Sequence, residues 1–268
     1  MIQAIAPPDL PRCWTGRIHS LFANSCNVAL DGGGLLTIHR FSFGMLPRSL
    51  YEPELFTGDL EPGAPVQGGP EGVRLGEALL KWGSSVRVVD TRIHAAAVPP
   101  GNWKTALALL RERQDMLGGD AITQTLYSRL RQALAALWEG LLADDQTQIV
   151  QQCRACVGLG LGLTPSGDDM LLGSLTALHM YRPELARRLG EGIRPLLGRT
   201  NDISRSYLEL ALDGYAATPV LGAAAELSEG GTEQSEILLH VGHSSGCDIL
   251  EGLITTAERL EQIEEGRM

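Results

Sequence analysis

The spacing of apolar residues changes part-way along the chain, and the change divides it. In the first ninety-odd residues the apolar positions come in short runs. "TGRIHSLFANSCNVAL" and "LLTIHRFSF" carry β-branched and aromatic residues and flank "DGGG", a hairpin turn signal, so both read as strands. "KWGSSVRVVDTRIHAA" reads as a further strand or hairpin. Between them, "EPELFTGDLEPGAPVQGGPEGV" is dense in Pro and Gly and is expected to be irregular loop. Several short strands with no long helix point to a small barrel or sandwich.

"AAAVPPGNW" then punctuates the chain, and the period shifts to three and four. "WKTALALLRERQDML" and "AITQTLYSRLRQALAALWEGLLADD" show the apolar stripe of amphipathic helices. Further helices are expected over roughly 167–180, 183–197, 203–216 and 245–264. The chain is therefore read as α+β. A β-rich, barrel-like domain over residues 1–97 precedes a helical domain over residues 98–268.

Composition narrows the function classes. The 268 residues suffice for one large domain or two ordinary ones, and a hydrophobic content of 44% marks a globular chain. The net charge of −10 offers no basic footprint for nucleic acid. An anionic substrate would need a local site that opposes the global field. No apolar run reaches the roughly 18 residues of a membrane helix. The start, "MIQAIAPPDLPRCW", has neither the charged region nor the apolar core of a secretory signal. Five cysteines, an odd number, read as free thiols in a reducing cytoplasm. The Cys153 and Cys156 pair lacks the second pair that zinc needs and the βαβ context of thioredoxin chemistry. It reads as two helix-face thiols, and no metal site is expected there.

The least ordinary stretch is "GLGLGLTPSGDD", residues 158–169. Read as structure, it is a helix start. Thr164 or Ser166 can be the N-cap, Pro165 fits the first helical position, and Ser166 with Asp169 resembles a capping box. Asp168 and Asp169 suit the positive end of the helix dipole. Read as chemistry, Gly158, Gly160 and Gly162 allow a ligand close to the backbone, and N–H groups at a helix start bind phosphate or carboxylate. A Walker loop is excluded because no Gly-Lys-Ser/Thr follows, and "GNWKTAL" at 101–107 has only one of that loop's glycines. The G-x-G-x-G spacing also differs from the dinucleotide fingerprint. Asp168 and Asp169 are candidate Mg²⁺ ligands beside a phosphate, although adjacent helical residues point about 100° apart.

An internal echo supports the chemical reading. "SGDDMLLG" at 166–173 and "SGCDILEG" at 245–252 share S-G-x-D-x-L-x-G, and both open predicted helices. Asp169 with Gly173, and Asp248 with Gly252, are i, i+4 pairs, so each aspartate shares a face with a glycine that permits close helix approach. If the two starts converge, their dipoles and N–H groups create an anion site inside an acidic protein. His243, Ser244 and Ser245 precede the second helix and could bind an oxyanion or move a proton. The bland alternative is a histidine that merely caps or packs at a helix end. Between the motifs, Thr200, Ser204 and Tyr207 fall on one helical face or its cap. Arg205 is a candidate partner for carboxylate or phosphate, against the commoner role of a solvated surface arginine. The expected catalytic residues are Asp169, Asp248 and His243. Those expected to bind substrate are Gly162, Thr164, Ser166, Gly167, Asp168, Arg205, Ser244, Ser245 and Gly246.

Three segments together, "GLGLGLTPSGDDMLLG", "TNDISRSYLELALDGYAATPVL" and "VGHSSGCDILEGL", resemble the signature segments of the AllH family. "LLTIHRFSFGMLPRSL" resembles that family's N-terminal region. The family includes the subunit assigned to oxamate carbamoyltransferase of anaerobic allantoin use. The resemblance implies a β-barrel-like N-terminal domain and a helical C-terminal domain. It implies a role in phosphorolysis of oxalurate to oxamate and carbamoyl phosphate, in a hetero-oligomer with further subunits, one similar to acyl-CoA synthetases. Leu161 departs from the family, which often has proline there. The rival expectation is a structural or ligand-sensing subunit, with the chemistry carried by a partner.

Overall fold

The computed structural model describes residues 1–6, 10–55, 57–160 and 162–266. The chain forms two compact units, Met1–Thr91 and Arg92–Met268.

The first unit is a closed eight-stranded barrel. Its strands are β1 (Ile2–Ala6), β2 (Trp14–Phe22), β3 (Ser25–Leu30), β4 (Leu35–His39), β5 (Ser49–Tyr51), β6 (Pro65–Gly69), β7 (Gly72–Leu75) and β8 (Ala78–Val88). They pair in the order β1-β5-β4-β3-β2-β6-β7-β8, and β1 closes the ring on β8. The β1–β8 and β4–β5 pairs are parallel, and the others are antiparallel. Period-2 burial puts Ile2, Ala4 and Ala6 of β1 inside, with Trp14 and Ile18 of β2. Ile18, Val28, Leu36, Ile38, Leu50, Val66 and Val73 fill the interior. Closure leaves no free sheet edge.

One expectation fails here. The Pro- and Gly-rich stretch read as irregular loop contains β6 and the start of β7, a hairpin turning at Gly69–Gly72. Val66 and Val73 face the core, and β6 is clamped between β2 and β7. Tertiary pairing overrides a local composition that favours turns.

The second unit is helical. It comprises α1 (Trp103–Leu117), α2 (Ala121–Ala143), α3 (Gln146–Cys156), α4 (Ser166–Tyr181), α5 (Pro183–Ile193), a 3-10 helix (Arg194–Arg199), α6 (Asp202–Leu212), α7 (Thr218–Glu229), α8 (Glu233–Leu239) and α9 (Ser245–Glu264). Side-chain caps fix several starts. Asp120 accepts from the Thr123 N–H at 2.8 Å and Asp145 from that of Gln148 at 3.0 Å. Asn201 accepts from Ile203 and Ser204. The helices α7 and α8 go beyond the predicted set. The buried Ser235 of α8 and the Gln234 N–H are anchored by Glu226 of α7. A cap supplied from another helix leaves no local sequence signal. No described helix is long and apolar enough to cross a membrane.

The helices α4 and α9 form the centre of this unit. Nearly every residue of α4 from Ser166 to Leu178 is buried, as is α9 from Gly246 to Ile254. Two hydrophobic clusters flank them. One gathers Leu130, Leu137, Ile149, Leu171 and Leu189, and the other Leu110, Ala177, Ala223, Leu250 and Leu253.

Candidate functional site

The echo in the sequence is an echo in space. A Cβ placed on Gly173 would lie 2.1 Å from the Ile249 carbonyl oxygen, and one on Gly252 would lie 2.1 Å from that of Met170. Each glycine thus lets the other helix's backbone in, and α4 and α9 cross with their main chains in contact. The second glycine pair repeats the logic. Gly167 lies against the Cys156 carbonyl at the end of α3, and Gly246 lies against the Leu238 carbonyl near the end of α8. Two helix–turn–helix units, α3–α4 and α8–α9, therefore meet at matching positions.

The crossing brings the two helix starts together. Thr164 Oγ1 and Ser245 Oγ lie 2.6 Å apart across the pair. Behind them sit Asp169, 3% exposed, and Asp248, fully buried. The hydroxyls of Thr164 and Ser245 interact with Asp169, and those of Ser166 and Ser244 with Asp248. Each aspartate is thus served by the serine that opens the other helix. Tyr127 of α2 donates to Asp248 Oδ1 at 2.7 Å. Asp169 Oδ2 and Asp248 Oδ2 are buried with no hydrogen-bond partner, unusual for carboxylate oxygens.

Burial sets the electrostatics. Loss of solvent, followed by the nearby Asp248 charge, drives the Asp169 carboxyl well above the usual carboxylate range. Thr164 and Ser245 oppose this, and Asp168 adds a smaller upward push. Burial raises Asp248 to about 6, opposed first by the Tyr127 and Ser166 hydroxyls and assisted by Glu251. Two buried carboxyl groups thus have raised proton affinities in a polar, largely buried setting, the environment in which acid–base residues are found.

Asp168 has a different place. Its Oδ1 accepts from the Gly158 N–H at 2.8 Å, and its Oδ2 accepts from Ser204 at 2.7 Å and from Thr200. It ties the glycine-rich loop to the start of α6. Thr200 and Ser204, singled out by their spacing, are its partners. With both oxygens so engaged, Asp168 does not fit a magnesium site shared with Asp169. Among the described residues no group of three or more His, Cys, Asp or Glu side chains is arranged to hold a metal.

The glycine-rich loop also divides by role. Gly158 (φ +78°) packs on the Arg199 carbonyl and Gly160 (φ +140°) on the Ser166 amide. Gly162 (φ +94°) is exposed with open space around it. Leu161 lies outside the described residues. Pro165, rather than Thr164 or Ser166, is the N-cap of α4, and no side chain caps it. Its carbonyl takes the Asp168 and Asp169 amides, so the capping box does not form. Several amides expected to face a ligand are already engaged. The Gly167 N–H donates to Leu159 and the Gly246 N–H to Val241.

The remaining expected residues lie further out. His243 is exposed on the turn before α9, beside exposed Gly242. Arg205 pairs with Asp202 at 2.5 Å within α6. The polar layer therefore grades inward. Gly162 and His243 are exposed, Thr164, Ser244, Ser245 and Tyr127 are half-buried, and Ser166, Asp169 and Asp248 are buried. Tyr127, with Arg131 and Glu251 behind it, escaped the sequence reading. Tyr127 looks like any amphipathic-helix aromatic, and 121 positions separate it from Asp248. The buried Cys153 and Cys156 are free thiols within the hydrophobic cluster, and burial raises both.

Two family models match the chain. Residues 1–88 match the AllH family N-terminal domain, and residues 156–257 match the model described as oxamate carbamoyltransferase subunit AllH. The first match spans the barrel strands, and the second runs from the end of α3 through the α4–α9 crossing. No solved structure matches. With both segments present and in order, the chain belongs to the AllH family.

Proposed function

We propose that this chain is a carbamoyltransferase subunit that catalyses, with partner subunits, phosphorolysis of oxalurate to oxamate and carbamoyl phosphate. The observation that carries the reading is the pair of buried aspartates, each with an unpartnered oxygen, beneath the hydroxyls of Thr164, Ser166, Ser244 and Ser245. The family's description as an oxamate carbamoyltransferase subunit supplies the substrate class.

The chemistry needs what this pair offers. A phosphate oxygen attacks the terminal ureido carbon, the new C–O bond forms, and the C–N bond to the oxamate nitrogen breaks. The proton of the attacking phosphate hydroxyl ends on that nitrogen. One carboxylate takes the proton and one carboxylic acid gives it. Asp248 is the base, and Asp169, whose protonated form is favoured by burial and then by the nearby Asp248 charge, is the acid. The hydroxyl layer holds the anion and relays the proton, and fixed donors stabilise the charge that develops at the carbamoyl centre. Holding phosphate and ureido acid together supplies much of the rate. His243 lies at the exposed rim and Arg205 on the surface of α6, where either meets an incoming anion first. The acyl-CoA-synthetase-like subunit implied by the resemblance is the partner to seek.

The test is thermal stability of the full chain against phosphate, carbamoyl phosphate, oxamate and oxalurate. An anion at a hundred times its dissociation constant stabilises by roughly 2.7 kcal/mol. The shift is expected in the wild type and absent in Ser245→Ala, which also loses activity in the reconstituted enzyme. No shift with any of the four, with or without Mg²⁺, together with full activity of Ser245→Ala, sinks the assignment. A second reading then stands, a non-catalytic structural or ligand-sensing subunit. It is favoured by the packing contacts that already account for Gly167, Gly173, Gly246 and Gly252.

A further inference from the structure

The two motifs are nearly equivalent. They share a sequence pattern, a glycine crossing and burial of the aspartate, and burial pushes both carboxyls up. The contacts from outside the two helix–turn–helix units are not shared.

We infer that Tyr127 is a positioning residue that makes Asp248 the ionised member of the pair and leaves the proton on Asp169. The phenol donates to Asp248 Oδ1 at 2.7 Å, and a hydrogen bond to a carboxylate favours its charged form. Asp169 has no phenol. Its hydroxyl neighbours Thr164 and Ser245 are hydrogen-bonded to each other, which uses one of their two protons.

Tyr127 is itself held. The Arg131 guanidinium lies over its ring, 5.6 Å from the centroid. Glu251 fixes that guanidinium through Nε at 2.5 Å and Nη2 at 3.1 Å, and Gln114 of α1 donates to the same carboxylate at 2.9 Å. The line from Gln114 through Glu251 and Arg131 to Tyr127 and Asp248 lets α1 and α2 act on a pair they do not carry. Both helices lie between the two family-model matches.

The charged and titratable groups around the pair act in both directions. Arg131 is a cation near Asp248, while Glu251 opposes ionisation there. Asp168 opposes ionisation of Asp169. Arg113 of α1 and Cys247 of α9 interact beside Asp248, and burial raises that thiol to about 11, so it stays neutral. Burial likewise raises the Tyr127 phenol, which remains a donor at every working pH.

The inference takes the aspartate pair from the proposed function, but its test needs no substrate, so the two can fail separately. Infrared spectra of the full chain resolve carboxylic acid from carboxylate. At neutral pH the wild type is expected to show a buried acid band that is lost in Asp169→Asn and kept in Asp248→Asn. Tyr127→Phe is expected to raise the proton affinity of Asp248 about tenfold, moving its titration up by about one pH unit. Difluorotyrosine at position 127 is a stronger donor of the same shape and is expected to move it down. That second variant decides the matter if Tyr127→Phe folds poorly. Two results overturn the inference: titration of both variants with the wild type, or an acid band lost in Asp248→Asn and kept in Asp169→Asn.

Discussion

His39 shows how much a single buried side chain can commit. It is fully buried in the barrel, where its Nδ1 accepts from the Phe41 N–H at 3.2 Å. The proton must therefore sit on Nε2, which faces Ser49 Oγ at 3.3 Å, and Ser49 in turn donates to the Leu46 carbonyl at 2.6 Å. Protonation would break the Phe41 contact and bury a charge. Burial accordingly lowers His39 from 6.5 to about 4. The unfolded chain then binds the proton first, so stability is complete above about pH 6.5 and falls as pH drops towards 4. The shift corresponds to a loss on the order of 3 kcal/mol. Chemical denaturation of the wild type and His39→Gln should give curves that converge on acidification. Parallel curves between pH 7 and 4 would show that the histidine does not carry the acid sensitivity.

At the scale of elements, the crossing of α4 and α9 depends on two hydrogen atoms. A methyl group at Gly173 or Gly252 meets a backbone carbonyl at 2.1 Å, and a carbonyl cannot rotate away as a flexible side chain does. Gly173→Ala and Gly252→Ala should each cost about 3 kcal/mol, at the upper end of overpacking effects. On the proposed function, both should also abolish anion binding by spreading the Thr164–Ser245 contact. An alanine variant that keeps its melting temperature would mean the helices cross elsewhere. These glycines were legible in the sequence because the motif occurs twice with aspartate and glycine four apart. The hairpin of β3 and β4 was legible because a turn signal separates two β-branched runs, whereas the first run hides a second hairpin, between β2 and β3, that no Gly or Pro marks. The hairpin of β6 and β7 was not legible, since its strands are made by their neighbours rather than by their own composition. Nor was Asp168 as a structural acceptor, because a carboxylate in a first helical turn reads the same whether it serves a ligand or a loop. Tyr127 was hidden for a similar reason. Its role lies in what α9 brings to it.

At the scale of the whole molecule, the two units answer acid in opposite directions. In the barrel, His39 loses stability as pH falls from about 6.5 to 4. In the helical unit the aspartate pair does the reverse. Asp248 is raised from 3.8 to about 6, so the folded state binds its proton before the unfolded state does. The cost of keeping it ionised is fully present above about pH 6 and is relieved as pH falls towards 3.8, again on the order of 3 kcal/mol. Asp169, raised by burial and then by Asp248, adds a slope of the same sign. Each unit has its own core, so calorimetry of the full chain is expected to resolve two transitions. Between pH 7 and 5 the transition removed by His39→Gln from the pH series should move down. The other should move up and lose that slope in Asp248→Asn. On the proposed function, Asp169→Asn should raise the helical transition at neutral pH while removing anion binding, since a buried carboxyl is a liability to the fold. If Asp169→Asn and Asp248→Asn instead lower that transition at neutral pH, the two aspartates are structural acceptors that stabilise the crossing. The stability stored in the pair would then argue for a scaffold.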